Sequence, residues 1–394
     1  MCCSSRPSRT KGTGVGRVVA PAVAVAFVLV LTMAALSPAS AQSPSPSPSP
    51  TLTPTPTPTP IPSPSPSPTP TPTASMINSG ISSGTAVLNL GSSFLERLGN
   101  QATGGFSHAW RNNPGGGGAS EATEEPRFRT WGELYGISST TGAQGDFVGD
   151  KRTTWGGVGG LGARLAPGVN VGFSVDQSRT DIDVPLALQS ATLDLTQFGF
   201  NASVDKGPWT WAVALVRGFG NINSRRDTGL GIATAGYGAQ IDGALTELDY
   251  FWSIQQSRIV PKVALEYTRA STDAFREVGG LDPLTASSAA MERARALVGA
   301  EVGHYWIFGE KVLDLSAYGK FVDNFSQRFG SMLVSLGPES IAVQGIGESQ
   351  YGADAGAAAS LSLTNTARLY FNYDGKFRAN LQSHQGTLGF EYKW

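Results

Sequence analysis

Residues 386–394 read Gly386-Thr387-Leu388-Gly389-Phe390-Glu391-Tyr392-Lys393-Trp394. Leu388, Phe390, Tyr392 and Trp394 alternate with Thr387, Gly389, Glu391 and Lys393. Side chains in a strand point to opposite faces with period two, so one face here is apolar and aromatic and the other polar. An aromatic face of this kind suits the rim of a membrane sheet, where Trp and Tyr sit at the water interface. Such a strand cannot meet lipid with an unpaired edge, so the rest of the chain must supply its neighbours.

The chain supplies them from Arg127 onward. Alternation predicts twelve strands: Arg127–Ser138, Thr153–Leu165, Val169–Arg179, Ala191–Asp205, Trp209–Gly220, Gln240–Ile254, Arg258–Ala270, Arg293–Trp306, Val312–Phe325, Ile346–Leu363, Ala367–Lys376 and His384–Trp394. The pattern is plain where Leu313, Leu315, Ala317 and Phe321 oppose Asp314, Ser316, Tyr318 and Lys320. In the fourth strand Leu193 and Leu195 fall out of phase with Phe198 and Phe200, which a β-bulge would explain.

The connections alternate in length. Ala166-Pro167-Gly168, Lys206-Gly207-Pro208, Gln255-Gln256-Ser257, 307–311 and Thr364-Asn365-Thr366 are tight. Residues 139–152, 180–190, 219–239, 271–292 and 326–345 form long loops, and 377–383 a shorter one. Short turns toward the periplasm and long loops outside are the habit of an outer-membrane barrel. The fold class is therefore all-β: a 12-stranded antiparallel transmembrane β-barrel over 127–394. Its polar face would point into the lumen, with Lys262, Glu266, Lys320, Arg368 and Asp374 among the lumen-facing charges. A soluble sandwich or lipocalin-like barrel would have shorter, more even loops and more charge than the 15% found.

Upstream, Val87, Leu88, Phe94, Leu95 and Leu98 recur at helical spacings within Thr85–Gly99, and Gly99 is a natural stop. Gly91, Ser92 and Ser93 keep this helix thin, as a plug in a narrow lumen would be. Leu88, Phe94, Leu95 and Leu98 are its packing residues. It lies in a linker of residues 76–126 that also holds the Gly115–Gly118 loop.

Residues 42–75 are a Pro/Ser/Thr-rich low-complexity spacer, holding fourteen of the twenty-five prolines between Pro44 and Pro72. Proline at every second position excludes helix and sheet, so the segment is read as disordered, in a stiff extended form. Before it, Arg6, Arg9, Lys11 and Arg17 precede the apolar run Val18–Leu36 and the small-residue site Ala39-Ser40-Ala41. This reads as a cleaved signal peptide over 1–41; the run is also long enough to serve as a retained anchor. Its removal takes away four basic residues and moves the formal charge from −1 to −5. Both cysteines, Cys2 and Cys3, lie in it, so disulfides and thiolate metal sites are not expected in the mature chain.

Several stretches together resemble the C-terminal translocator domain of autotransporters, the type V secretion class. They are Trp131-x-x-x-Tyr135-Gly136, Val260-Pro261-x-x-x-Leu265-Glu266-Tyr267, Phe275-x-Glu277-x-Gly279-Gly280, Arg293 to Trp306, and Tyr351-Gly352-Ala353-Asp354-Ala355-Gly356 through Tyr373-Asp374-Gly375 to Trp394. The resemblance implies an outer membrane of a Gram-negative bacterium and a helix threading the pore, which would be Thr85–Gly99. It also implies that Phe390, Tyr392 and Trp394 form the signal read by the barrel-assembly machinery, and that periplasmic chaperones carry the chain there. No passenger repeat is visible before the helix, so the barrel is expected to export or display its own short N-terminal segment. A passive porin-like channel and an adhesin acting through its loops are the alternatives.

No chemistry competes with that reading. His108, His304 and His384 are scattered, and neither G-x-S-x-G nor H-E-x-x-H occurs. Asn112-Asn113 is the lone Asn pair at which a self-cleaving relative would cut, but it precedes Pro114 in a Gly-rich loop and reads as a turn. The expectation is a non-enzyme with no cofactor and no metal. Outer-membrane lipid would be its partner, with no nucleic acid and no small-molecule substrate.

Overall fold

A computed structural model describes residues 71–104, 126–309 and 311–394. The expected signal peptide, the expected spacer up to residue 70, His108, Asn112-Asn113 and the Gly115–Gly118 loop lie outside the described residues.

Twelve strands close into one antiparallel barrel. They are β1 Phe128–Thr141, β2 Asp150–Ala166, β3 Val169–Val184, β4 Gln189–Lys206, β5 Trp209–Asp227, β6 Ile232–Tyr250, β7 Ser257–Thr272, β8 Ala289–Phe308, β9 Lys311–Phe329, β10 Tyr351–Ser362, β11 Ala367–Arg378 and β12 Leu381–Lys393. Each pairs with its neighbours in sequence, and β12 pairs back on β1 from Arg129↔Lys393 to Thr141↔Leu381. Trp394 completes the seam: its carbonyl accepts the N–H groups of Arg127 and Phe128, both at 3.0 Å. Its ring stacks on Phe128 with centroids 6.2 Å apart. Closure leaves no edge for lipid to strip of hydrogen bonds.

One end of the barrel carries tight turns. Gly168 and Gly207 sit there at φ +77° and +60°, a conformation other residues resist. At the other end the strands overshoot. They run from 12 residues in β10 to 20 in β8, whereas a tilted strand crosses the hydrocarbon in about 9–11. The ladders extend far at this long-hairpin end, which corrects the expected loops. Residues 219–239 are mostly ladder, since β5 and β6 stay paired up to Asp227↔Ile232 and leave a turn at 228–231. Likewise β3 continues to Val184, and β9 to Phe329. Within 326–345 lies a hairpin, Ser331–Leu336 with Glu339–Gln344. It joins Thr285–Ala286 and Phe275–Arg276 in a small outer sheet.

The fourth strand has no bulge. Its pairing is unbroken with β3 from Gln189 to Val204 and with β5 from Gln189 to Lys206. What changes is the solvent, not the phase. Phe198 and Phe200 point out to lipid, while Leu193 and Leu195 point in and are fully buried. Above the lipid boundary the outer face meets water and carries Asp181, Asp183 and Asp194. The inner face there is packed with Ile182, Leu193, Leu195, Ile222 and Ile241. The apolar side of the strand therefore inverts where the barrel leaves the membrane. True register shifts lie elsewhere, at Arg164/Ala166 and Ala294/Ala296.

Candidate functional site

Among the described residues, one helix occupies the lumen. α1 runs from Asn78 to Gly104, after a 3₁₀ turn at Ala74–Ile77. The expected helix, Thr85–Gly99, was too short at both ends. Asn78-Ser79-Gly80-Ile81-Ser82-Ser83-Gly84 has poor intrinsic propensity, and the barrel wall holds it in shape instead. The Ser79 N–H donates to Gln189 Oε1 at 2.8 Å, and Ser82 bonds Asp150. Nor does Gly99 end the helix, because Gln101 is gripped beyond it. Its side-chain amide donates to Glu133 at 2.8 Å and to the Tyr370 hydroxyl at 3.2 Å. Arg129 donates to its backbone carbonyl at 2.6 Å.

These contacts fix the direction of the helix. Its first turn lies at the outer mouth, where Asn78 Oδ1 accepts the Val148 N–H at 3.1 Å. Its last turns lie toward the short-turn end. Residues 71–77 therefore stand at the outer mouth, and Thr73 and Ser75 are exposed there.

The helix leans on the wall formed by β3 to β8. Leu88, Phe94, Leu95 and Leu98 are buried against it. Glycines on both surfaces set the fit. A Cβ at Gly199 would lie 2.5 Å from Leu98 and one at Gly243 would lie 2.7 Å from Leu95; on the helix, a Cβ at Gly91 would lie 2.4 Å from Ile241. Around the outer end, Ile77 and Ile81 join Phe275, Leu284, Met332 and Val334 in an apolar collar.

Charge supplies the rest. Arg97 pairs with Glu133 at 2.8 Å and lies 4.0 Å over the Tyr135 ring. Glu96 binds Lys376 at 2.9 Å and also Arg295. Arg295 reaches Glu266 at 2.8 Å, and Ser92 donates to Glu266 at 2.6 Å. Beyond the membrane, Glu348 bridges Arg293 at 2.5 Å and Arg378 at 3.2 Å. Burial alone would raise its carboxyl; Arg293 and Arg378 override that and hold it down at about 2.

Lys262, Glu266, Lys320, Arg368 and Asp374, the charges expected in the lumen, have these neighbours. Lys262 lies among Asp249 (3.2 Å), Glu301 (3.7 Å) and Glu247 (3.8 Å). Lys320 stands 4.0 Å from Glu247, Arg368 3.2 Å from Glu391, and Asp374 takes the Tyr318 hydroxyl at 2.6 Å. Only Glu266 touches the helix. The others line a cavity of about 270 Å³ beside its C-terminal turns. Phe390, Tyr392 and Trp394 are on the lipid face. His304 holds Ser257 at 2.8 Å and His384 holds Tyr373 at 2.7 Å, both at the barrel rim. Among the described residues no group of His, Cys, Asp and Glu could hold a metal ion.

Sequence reasoning missed the helix's main partners, Arg129, Glu133, Arg295 and Tyr370. A signal existed for one of them. In Met291-Glu292-Arg293-Ala294-Arg295-Ala296-Leu297, both arginines share a face with Met291 and Leu297, which here is the interior.

The chain matches the family model of the Autotransporter beta-domain over residues 130–374. It is similar in fold to the translocator domain of autotransporter NalP from Neisseria meningitidis, with a TM-score of 0.62 and 13% identity over 81% of this chain and 99% of that one. The beta domain of the Bordetella autotransporter Brka is also similar, with a TM-score of 0.51 and 16% identity over 68% of this chain and 100% of that one. No curated protein sequence matches.

Proposed function

Because the chain belongs to the autotransporter beta-domain family, an outer-membrane translocator barrel, we propose that it exports its own N-terminal segment to the cell surface and then keeps α1 as a plug. The observation that carries this reading is the direction of α1: residues 71–77 stand at the outer mouth, on the side of the long hairpins. The stretch from Gln42 to Leu95, which takes in the first two thirds of α1, contains no Asp, Glu, Lys or Arg, so it can pass a charged lumen without being held by any one ion pair. A signal peptide over 1–41 would bring the chain to the periplasm. The role is transport and display, not catalysis.

The mature chain's lack of cysteine makes the test direct. Ser75→Cys should react with a membrane-impermeant maleimide on intact cells. Asn365→Cys, in a short turn, should react only after the outer membrane is permeabilised. Labelling of Asn365→Cys but not Ser75→Cys on intact cells would end the proposal.

We further take Phe390, Tyr392 and Trp394 as the strand face read by the barrel-assembly machinery, after delivery by periplasmic chaperones. The support is the family likeness together with the seam that this strand closes. Phe390→Ala with Tyr392→Ala should lower the yield of assembled barrel severalfold while leaving the urea midpoint of assembled barrels nearly unchanged. An equal loss in both would make these residues packing groups only.

A further inference from the structure

The outward face of the barrel carries a ladder of alternating charge. Strand pairing sets Arg217 beside Asp242, Asp242 beside Arg269, Arg269 beside Glu292, and Glu292 beside Arg328. Five strands, β5 to β9, thus contribute one charged side chain each, in register. All point away from the lumen.

Its lower end lies at the outer lipid boundary. On β5 the outward residues run Trp209, Trp211, Val213, Leu215, Arg217 and Phe219, so Phe219 ends a span of about ten residues. On β7, Tyr267 ends the apolar series and Arg269 follows. On β6, Asp242 follows Ala244. Arginine on a lipid face is costly at the midplane and nearly free at the interface, so this is where it can be tolerated.

The pairs themselves are loose. Arg217 approaches Asp242 at 3.4 Å and Arg269 approaches Glu292 at 3.6 Å, and both guanidinium groups are more than half exposed. Among the described residues neither makes a hydrogen bond. Each of the two guanidinium groups approaches a single carboxylate without a hydrogen bond to it, which leaves donors open. Arg217 also lies 5.3 Å over the Phe219 ring, which fixes its fork at the boundary. A planar fork with open donors suits a phosphate group bound through two hydrogen bonds. The polar matter at that height is the headgroup layer of the outer leaflet.

We propose that Arg217 and Arg269 form a docking site for a phosphate-bearing lipid of the outer leaflet, with Asp242 between them as the competing anion. The site is independent of what the barrel exports. It would anchor the barrel's rotation and height against the leaflet on the side where α1 leans.

The full chain would be reconstituted in phosphatidylcholine liposomes containing a bis-phosphorylated glucosamine lipid, or the same lipid dephosphorylated, and lipid retained by the repurified barrel counted by mass spectrometry. The unchanged chain should retain the phosphorylated form about tenfold over the dephosphorylated one. Arg217→Gln with Arg269→Gln should abolish that preference while heat-modifiable mobility shows the barrel still folded. Asp242→Asn should strengthen retention, because it frees the Arg217 fork and removes the anion between the two arginines. Equal retention of the two lipids by the unchanged chain, or weaker retention by Asp242→Asn, would overturn the site.

Discussion

Arg295→Met is expected to destabilise the barrel by about 3–5 kcal/mol, the usual cost of leaving a buried ion without its partner. Arg295 is 1% exposed and joins three helix or wall groups at once: Glu266, Glu96 and Ser92. Removing the guanidinium leaves Glu96 with Lys376, but it leaves the wholly buried Glu266 with the Ser92 hydroxyl alone. The loss should fall largely on that carboxylate. Adding Glu266→Gln to Arg295→Met should therefore recover much of the stability, since a neutral amide can keep the Ser92 bond without carrying charge. Urea unfolding of the detergent-solubilised barrel measures both variants. If the double variant is as unstable as the sum of the single losses, the ion pair is not what holds the helix at this point.

That dependence was only half legible in the sequence. The barrel could be read because lipid imposes one rule on every strand: apolar out, polar in, for about ten residues. β9, β11 and β12 obey it over most of their length. β3, β4 and β5 do not, since they rise past the lipid and there obey the opposite rule. Leu193 and Leu195 are the visible mark of the change, and period two alone cannot tell an inverted face from a shifted register. The helix ends were hidden for a different reason. Asn78–Gly84 and Asn100–Gly104 have weak helical propensity and no clear apolar period to read, and Gln189, Asp150, Glu133 and Tyr370 hold them from 32 to 269 residues away in sequence. The charges expected in the lumen rest on alternation, and alternation says only which way a side chain points. It could not separate Glu266, which meets the helix, from Lys262 and Asp374, which line the open side.

Gly199→Leu is expected to unseat the helix and turn a quiet barrel into a conducting one. Gly199 is on β4, facing the lumen where Phe94 and Leu98 pass. A Cβ alone would sit 2.5 Å from Leu98 and 2.9 Å from Phe94, well inside contact distance, and leucine adds three more carbons. One side must yield. β4 is held by unbroken ladders to β3 and β5. The helix is held by side chains, packs with Trp131, Val158, Ala214, Val216 and Leu245 in one apolar cluster, and has the open cavity beside its C-terminal turns to move into. Overpacking of this kind costs about 1–3 kcal/mol, which shifts the ratio of seated to unseated helix by about 5- to 150-fold. Planar-bilayer recordings should show the Gly199→Leu chain open far more often than the unchanged chain. Leu98→Ala in the same chain should restore quiet by returning the lost volume. Gly386→Ala, where nothing lies within 4 Å of the added carbon, should change nothing. A Gly199→Leu barrel that stays as quiet as the unchanged one would mean that the outer collar of Ile77, Phe275, Met332 and Val334 seals the pore by itself, and that the helix body merely fills the space beneath it.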